Sequence, residues 1–272
     1  TNGNNSMGLL LQAIGGGGGR VNLAIDAAAG AVFGPIQLAL GGTNGTNETG
    51  GAVTRLQAGQ VVTTGNLSPG AILQSIGGGG GSAAVVLTGA NLPDASVTAS
   101  LGAQGGSVIS AGTVSGDFSG GIHTRGDQSV GLLAQSIGAG GGEIRSSGAS
   151  SISVTLGGAD GASGSGSDVS ISNAGVISTT GTNSHGVLIQ SIGGGGGAVL
   201  GDMTSANVTL SDENTGDGGD ISFDQTGDLT TTGAGSFGVI LQSLGGGGGW
   251  VQGEFAGSAG GDGAGGRIDF TI

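Results

Sequence analysis

Residues 190–197 read QSIGGGGG, and the same octapeptide returns with little change at 12–19 (QAIGGGGG), 74–81 (QSIGGGGG), 135–142 (QSIGAGGG) and 242–249 (QSLGGGGG). This repetition constrains the fold more than any other feature. A run of five glycines loses more backbone entropy on ordering than any other sequence of its length, so either the fold holds it or it stays loose. The glutamines Gln12, Gln74, Gln135, Gln190 and Gln242 stand 62, 61, 55 and 52 residues apart.

Similarity extends well upstream of each glutamine. The segments around Gln74, Gln135, Gln190 and Gln242 align without a gap as G-x-[IVL]-x-T-x-G-x-x-S-x-G-[ALV]-[IL]-[LAI]-Q-S-[IL]-G-[GA]-G-G-G. Thr1, Gly3, Ser6 and Gly8 already occupy the T, G, S and G slots, which marks residues 1–272 as one elongated repeat domain taken from a longer array. A second block precedes each later motif. It comprises a short alternating segment (IQLALGG, VTASLG, ISVTLGG or VTLSD), a loop rich in Gly, Asp, Asn and Ser, and a further short segment such as DVSISNAG or DISFDQTG.

Alternation over four to seven positions, punctuated by glycine, predicts short β-strands, and no stretch sustains a helical apolar period. Short strands at a fixed period make a solenoid, whose coils share one continuous core because none can bury its apolar face alone. Five or six strand candidates per repeat predict two three-sided coils, or three smaller ones. At about 4.8 Å per coil the rod would be roughly 45–60 Å long.

In VLIQSI, Leu188, Gln190 and Ile192 share one strand face, and Val187, Ile189 and Ser191 the other. Both faces are partly apolar, which predicts a strand covered on both sides. The glutamine either folds back to bond the backbone of a glycine run that forms no strand of its own, or is a tolerated surface residue. Contact between successive glutamines is not expected if the copies lie two coils apart.

Composition removes other classes. Charged residues are 8% and hydrophobic ones 35%, which disfavours disorder, and three prolines with no Gly-X-Y period exclude collagen. The net charge of −13 opposes nucleic acid and anionic membranes, and no apolar window is long enough for a membrane helix. With no cysteine there is neither a disulfide framework nor a thiolate metal site, as suits an exported chain.

Catalytic constellations are not apparent. His185 shares its slot with Met7, Pro69, Val130 and Phe237; His123 aligns with Val62, Ser178 and Thr230; and Arg125 aligns with Thr64, Thr180 and Thr232. A serine present in every copy, as at Ser68, Ser129, Ser184 and Ser236, reads as a bend residue, since a catalyst needs one site. The chain has no lysine for a phosphate loop. The acidic loop SDENTGDGGD, with Asp212, Asn214, Asp217 and Asp220, is the one candidate for calcium, although it lacks EF-hand and nonapeptide spacing. Its plainer reading is a solvated turn, so no metal, cofactor or catalytic residue is assigned. Thr230 and Thr232 form the one Thr-x-Thr of the motif, too sparse for a water-ordering ladder if the motif returns once per repeat and not once per coil.

The motif G-x-I-x-T-x-G-x-x-S-x-G-[VL]-L-x-Q-S-I-G-G-G-G-G resembles the glycine-rich repeats in passenger regions of large bacterial autotransporters, the type V secreted surface proteins of Gram-negative bacteria. The resemblance covers essentially the whole chain. It implies a right-handed parallel β-helix exported to the cell surface, a role in adhesion or aggregation, and host or neighbouring-cell molecules, or further copies of the chain, as partners. The family's C-terminal β-barrel, signal peptide and terminal cap are not among these residues. Two other roles stay open: a self-assembling fibre in which the glutamine strand packs against a neighbouring chain, and a spacer for an enzymatic or glycan-binding region elsewhere.

Overall fold

A computed structural model describes residues 1–27, 35–41, 48–89, 96–102, 108–148, 151–158, 162–202, 206–210, 214–251, 254–257 and 261–272. The chain is an all-β parallel solenoid of five stacked sheets, and the described residues contain no helix. Sheet I consists of the glutamine strands Leu9–Ile14, Ala71–Ile76, Leu132–Ile137, Val187–Ile192 and Val239–Leu244. Sheet II follows the glycine bends as Gly18–Ala27, Gly80–Gly89, Gly141–Ser147, Gly196–Asp202 and Gly248–Val251. Sheet III holds Ile36–Leu40, Ser96–Leu101, Ser151–Leu156 and Ala206–Leu210. Sheet IV holds Val53–Gln57, Val114–Phe118, Val169–Asn173, Ile221–Gln225 and Ile268–Thr271, and sheet V holds Val61–Thr63, Ile122–Thr124, Ile177–Thr179 and Leu229–Thr231.

The pairing register corrects the expected number of coils. Gln12 lies beside Gln74, Gln74 beside Gln135, Gln135 beside Gln190 and Gln190 beside Gln242, so each repeat makes one coil, not two. The strand count was sound, but all five strands are used in going once round a two-lobed section. Five coils rise only about 20–25 Å, roughly half the expected rod length.

The first lobe has three sides. Leu73, Ala134 and Ile189 of sheet I, Phe118, Ile171 and Phe223 of sheet IV, and Ile122 and Ile177 of sheet V form its core. The second lobe is an arm inserted between sheets I and IV, in which Val85, Ile144 and Val199 of sheet II face Ala99, Val154 and Leu156 of sheet III. Arm strands shorten along the chain: those of sheet II have 10, 10, 7, 7 and 4 residues. In the fifth coil the arm reverses on itself, and Glu254–Gly257 pairs antiparallel with Gly248–Val251.

Both faces of the glutamine strand are covered, as its alternation predicts. Val187 and Ile189 enter the first core, Leu188 packs with Ala198 and Leu200 on the other side, and Ile192 stacks with Ile137 and Ile76.

The glycine runs correct a second expectation, because their last two members begin sheet II as paired strand residues. Gly141 lies in register with Gly80 and Gly196 at φ +136°, where an added Cβ would overlap the Gly196 carbonyl oxygen. The middle of the run meets the end of sheet III. A Cβ on Gly195, at φ +85°, would stand 2.7 Å from the Cα of Gly157. The waist between the lobes is therefore bare backbone on both sides.

Gly141→Ala combines a disfavoured φ with a backbone overlap and is expected to cost about 2–4 kcal/mol. Gly59→Ala, where a Cβ has nothing within 4 Å and φ is not positive, should stay within about 0.5 kcal/mol of the parent. Denaturant midpoints of the two variants check the contrast.

Candidate functional site

Three side-chain systems run along the axis. In the first, each glutamine Nε2 donates to the Oε1 of the next: Gln12 to Gln74 at 2.7 Å, Gln74 to Gln135 at 2.6 Å, Gln135 to Gln190 at 2.6 Å and Gln190 to Gln242 at 2.7 Å. This overturns the expectation that successive glutamines do not touch, which depended on two coils per repeat. The expected clamp is present beside the ladder. The second Nε2 hydrogen reaches the glycine run of its own coil, from Gln190 to Gly197 O at 3.1 Å and from Gln135 to Gly142 O at 3.4 Å.

The second system is made of hydroxyls. Ser75 Oγ donates to Gly51 O and accepts from Gly112 N, both at 2.8 Å, tying one coil's lead into sheet IV to the next. Ser136, Ser191 and Ser243 repeat the bridge. In the T-x-G-x-x-S bend, Thr63, Thr124 and Thr179 donate to the carbonyls of Ser68, Ser129 and Ser184 at 2.6–2.7 Å. The N–H groups of Ser68, Ser129 and Ser184 donate in turn to the hydroxyls of Ser129, Ser184 and Ser236. The repeated serines are thus bend and ladder residues, each already engaged by backbone.

The third system is a wedge between sheets I and II, closed by the bend, and it alone changes character from coil to coil. Eight residues after the glutamines stand Arg20, Ser82, Glu143, Ala198 and Trp250 in register; ten after stand Asn22, Ala84, Arg145 and Leu200. Glu143 and Arg145 are both 0% exposed. Arg145 Nε meets Glu143 Oε1 at 3.0 Å and Nη1 donates to Leu67 O at 2.5 Å, while Ser82 Oγ donates to the same Glu143 oxygen at 2.6 Å. Burial lowers the Arg145 pKa from its ordinary value, and the neighbouring Glu143 carboxylate pulls it back up. Glu143 Oε2 is buried with no partner among the described residues. In the next coil the two slots hold Ala198 and Leu200, so the site accommodates apolar residues as readily.

Sequence reasoning missed this pair because two charges two residues apart look like an ordinary exposed strand edge. Carrying the repeat alignment ten residues beyond each glutamine would have exposed it, since their counterparts are Ala and Leu.

Other sequence candidates lie apart. His185 is in the wedge, whereas His123 points outward on sheet V beside Val62 and Ser178, and Arg125 follows it on the surface. Asp212 lies outside the described residues. Asn214 is buried, and its amide donates to Gly194 O and Gly158 O; Asp217 accepts from Ala264 N, and Asp220 from Arg267 N. These three side chains are directed at separate backbone groups, and no three His, Asp or Glu residues among those described gather around a point. Thr230 lies beside Ser178, and Thr232 follows Thr180 and Arg125 in its slot. The motif does return once per coil, but His123 and Val62 interrupt the Thr230 slot and Arg125 the Thr232 slot, while the threonines that do align in register, Thr63, Thr124, Thr179 and Thr231, are turned inward, the first three fully buried. No family model, curated protein or solved structure matches the chain.

Two outcomes follow. Gln190→Leu removes the acceptor of Gln135 and the donor to Gln242 and Gly197, and should cost roughly 1–3 kcal/mol in denaturant unfolding. Amides of Gly193, Gly194 and Gly196, bonded to Leu244, Gly164 and Gly140, should be protected from hydrogen exchange in the parent and exposed in the variant. Glu143→Ala alone leaves a buried, unpaired guanidinium and should cost about 3–5 kcal/mol, whereas Glu143→Ala with Arg145→Leu, copying the fourth coil, should recover most of the loss. Equal destabilisation by the single and double variants would contradict this account of the wedge.

Proposed function

We propose that the chain is a structural and adhesive stalk of a secreted bacterial surface protein, mediating attachment or aggregation at the cell surface, without catalytic activity of its own. The observation that carries this reading is the contrast between the two lobes. In the first lobe the glutamine ladder runs through all five coils and the serine bridge through the last four, while the arm strands of sheet II fall from 10 residues to 4. A constant column bearing lateral projections of varied length suits a scaffold that presents contact surface.

The resemblance to autotransporter passenger repeats supports the same reading, and with it export to the outside of a Gram-negative cell and partners among host or neighbouring-cell molecules. The one hydroxyl–carboxylate contact of the wedge, Ser82 to Glu143, is sealed from solvent and its carboxylate oxygen is shared with Arg145, which does not suit a nucleophile and base open to a substrate, and the acidic surface disfavours nucleic acid. The fibre alternative loses its proposed contact, because the glutamine strands of the second to fourth coils are buried on both faces within one chain.

Beads coated with the chain should adhere to cultured host cells or to one another. Replacing the second coil's arm, residues 84–101, with a short hairpin like that of the fifth coil should reduce adhesion several-fold while the far-UV β spectrum is retained. An inert parental chain, or full adhesion by the trimmed variant, would overturn the assignment of contact to the arms.

A further inference from the structure

The wedge ends in three aromatic rings drawn from two coils. His185 of the fourth coil lies 5.6 Å from Phe237 and 5.6 Å, edge to face, from Trp250, both of the fifth; Phe237 and Trp250 meet edge to face at 5.3 Å. His185 is 3% exposed and Trp250 7%, while Phe237, at 46%, closes the cluster toward solvent. One side-chain hydrogen bond crosses the seam within this cluster, from the Phe237 N–H to Nδ1 of His185 at 3.2 Å, beside the backbone bond from Gly186 N–H to Phe237 O at 2.8 Å. That bond requires a neutral imidazole with its proton on Nε2, because a protonated Nδ1 would present a hydrogen to an N–H group. The same slot in other coils is filled by Met7, Pro69 and Val130, none of which can accept a hydrogen bond from the following coil in this way.

We propose that the His185–Phe237–Trp250 contact is an acid-opened latch: protonation of His185 releases the fifth coil's bend and Trp250 from the fourth coil while the coils beneath stay closed.

Burial lowers the His185 pKa from 6.5 to about 4, with no charged neighbour contributing. Attraction between an imidazolium and the two rings favours protonation but does not overcome the loss of water. Two charged groups on the packed elements are otherwise occupied. Asp127, on the bend below, accepts from Thr182 N, and Glu143, below Ala198 in sheet II, is bound by Arg145 and Ser82. Because the folded state holds the lower pKa, the latch contributes fully above about pH 6.5, weakens as pH falls and is lost through about pH 4.

Trp250 is the only tryptophan, so its emission reports the seam directly. In the intact chain, emission should shift to the red with a midpoint near pH 4. The His185 Hε1 proton should titrate at the same midpoint, and exchange at the Phe237 amide should accelerate there while the Leu132–Ile137 amides of the coil beneath remain protected. His185→Val copies Val130 in the coil below and leaves every carboxylate in place, so its emission should be flat through that window. The same transition in His185→Val would assign the effect to carboxylates and overturn the proposal. So would a His185 titration near 6.5 in the parent chain, a measurement that needs no variant.

Discussion

The close approach of backbone to backbone at the glycine waist is the constraint on which the rest depends. Two lobes can share one coil only if the bend leaving sheet I passes against the end of sheet III with no side chain between, as Gly195 does against Gly157 and Gly140 against Gly102. Coils can stack there only if the next glycine presents nothing toward the carbonyl above it. The entropy that such runs lose is offset by amides that find carbonyls in neighbouring coils, as Gly193 does at Leu244 and Gly196 at Gly140. Once the waist is fixed, the glutamine reaches both its neighbour and its own run, and sheet II begins in register.

Side chains then divide the work by position. Glutamine, serine and threonine columns repeat with the coil and hold adjacent coils at one spacing, each satisfying groups that the glycine backbone leaves open. Apolar columns in the two lobes supply most of the burial. The wedge varies, with a charged pair in one coil, Ala198 and Leu200 in the next and aromatic rings in the last. Because coils interact mainly with their neighbours, such local differences set local stability without altering the stack. The buried Glu143–Arg145 pair is the costly member, since desolvation of both groups is repaid only in part and one carboxylate oxygen has no partner among the described residues.

Much of this was legible in the residues. The gapless slots fixed the repeat, the alternation of VLIQSI placed its two faces correctly, and the recurrence of Ser68, Ser129, Ser184 and Ser236 identified a bend residue. The number of coils was not legible, because five short strands fit two three-sided coils or one two-lobed coil equally well. Only long-range pairing distinguishes them, and no local pattern encodes it. Two coils per repeat would also set successive glutamines apart and lengthen the rod. The glycines that open sheet II were missed for a different reason, since glycine has low strand propensity and here pairs at positive φ, a conformation no strand pattern anticipates. Buried charge was hidden because two nearby charges on a short strand look solvent-facing until the slots above and below are compared.

One coil per repeat is the claim from which the ladders, the waist and the wedge all follow, and the absence of cysteine allows a clean test. Ser170 and Ser222 are exposed register partners on sheet IV, in adjacent repeats. With one coil per repeat their Cα atoms stand about 4.8 Å apart, within disulfide range; with two coils they would stand about 9.6 Å apart, beyond it. The Ser170→Cys, Ser222→Cys double variant should therefore form an intramolecular disulfide under mild oxidation with the fold retained. Two persistently free thiols in the folded, monomeric double variant would contradict the account.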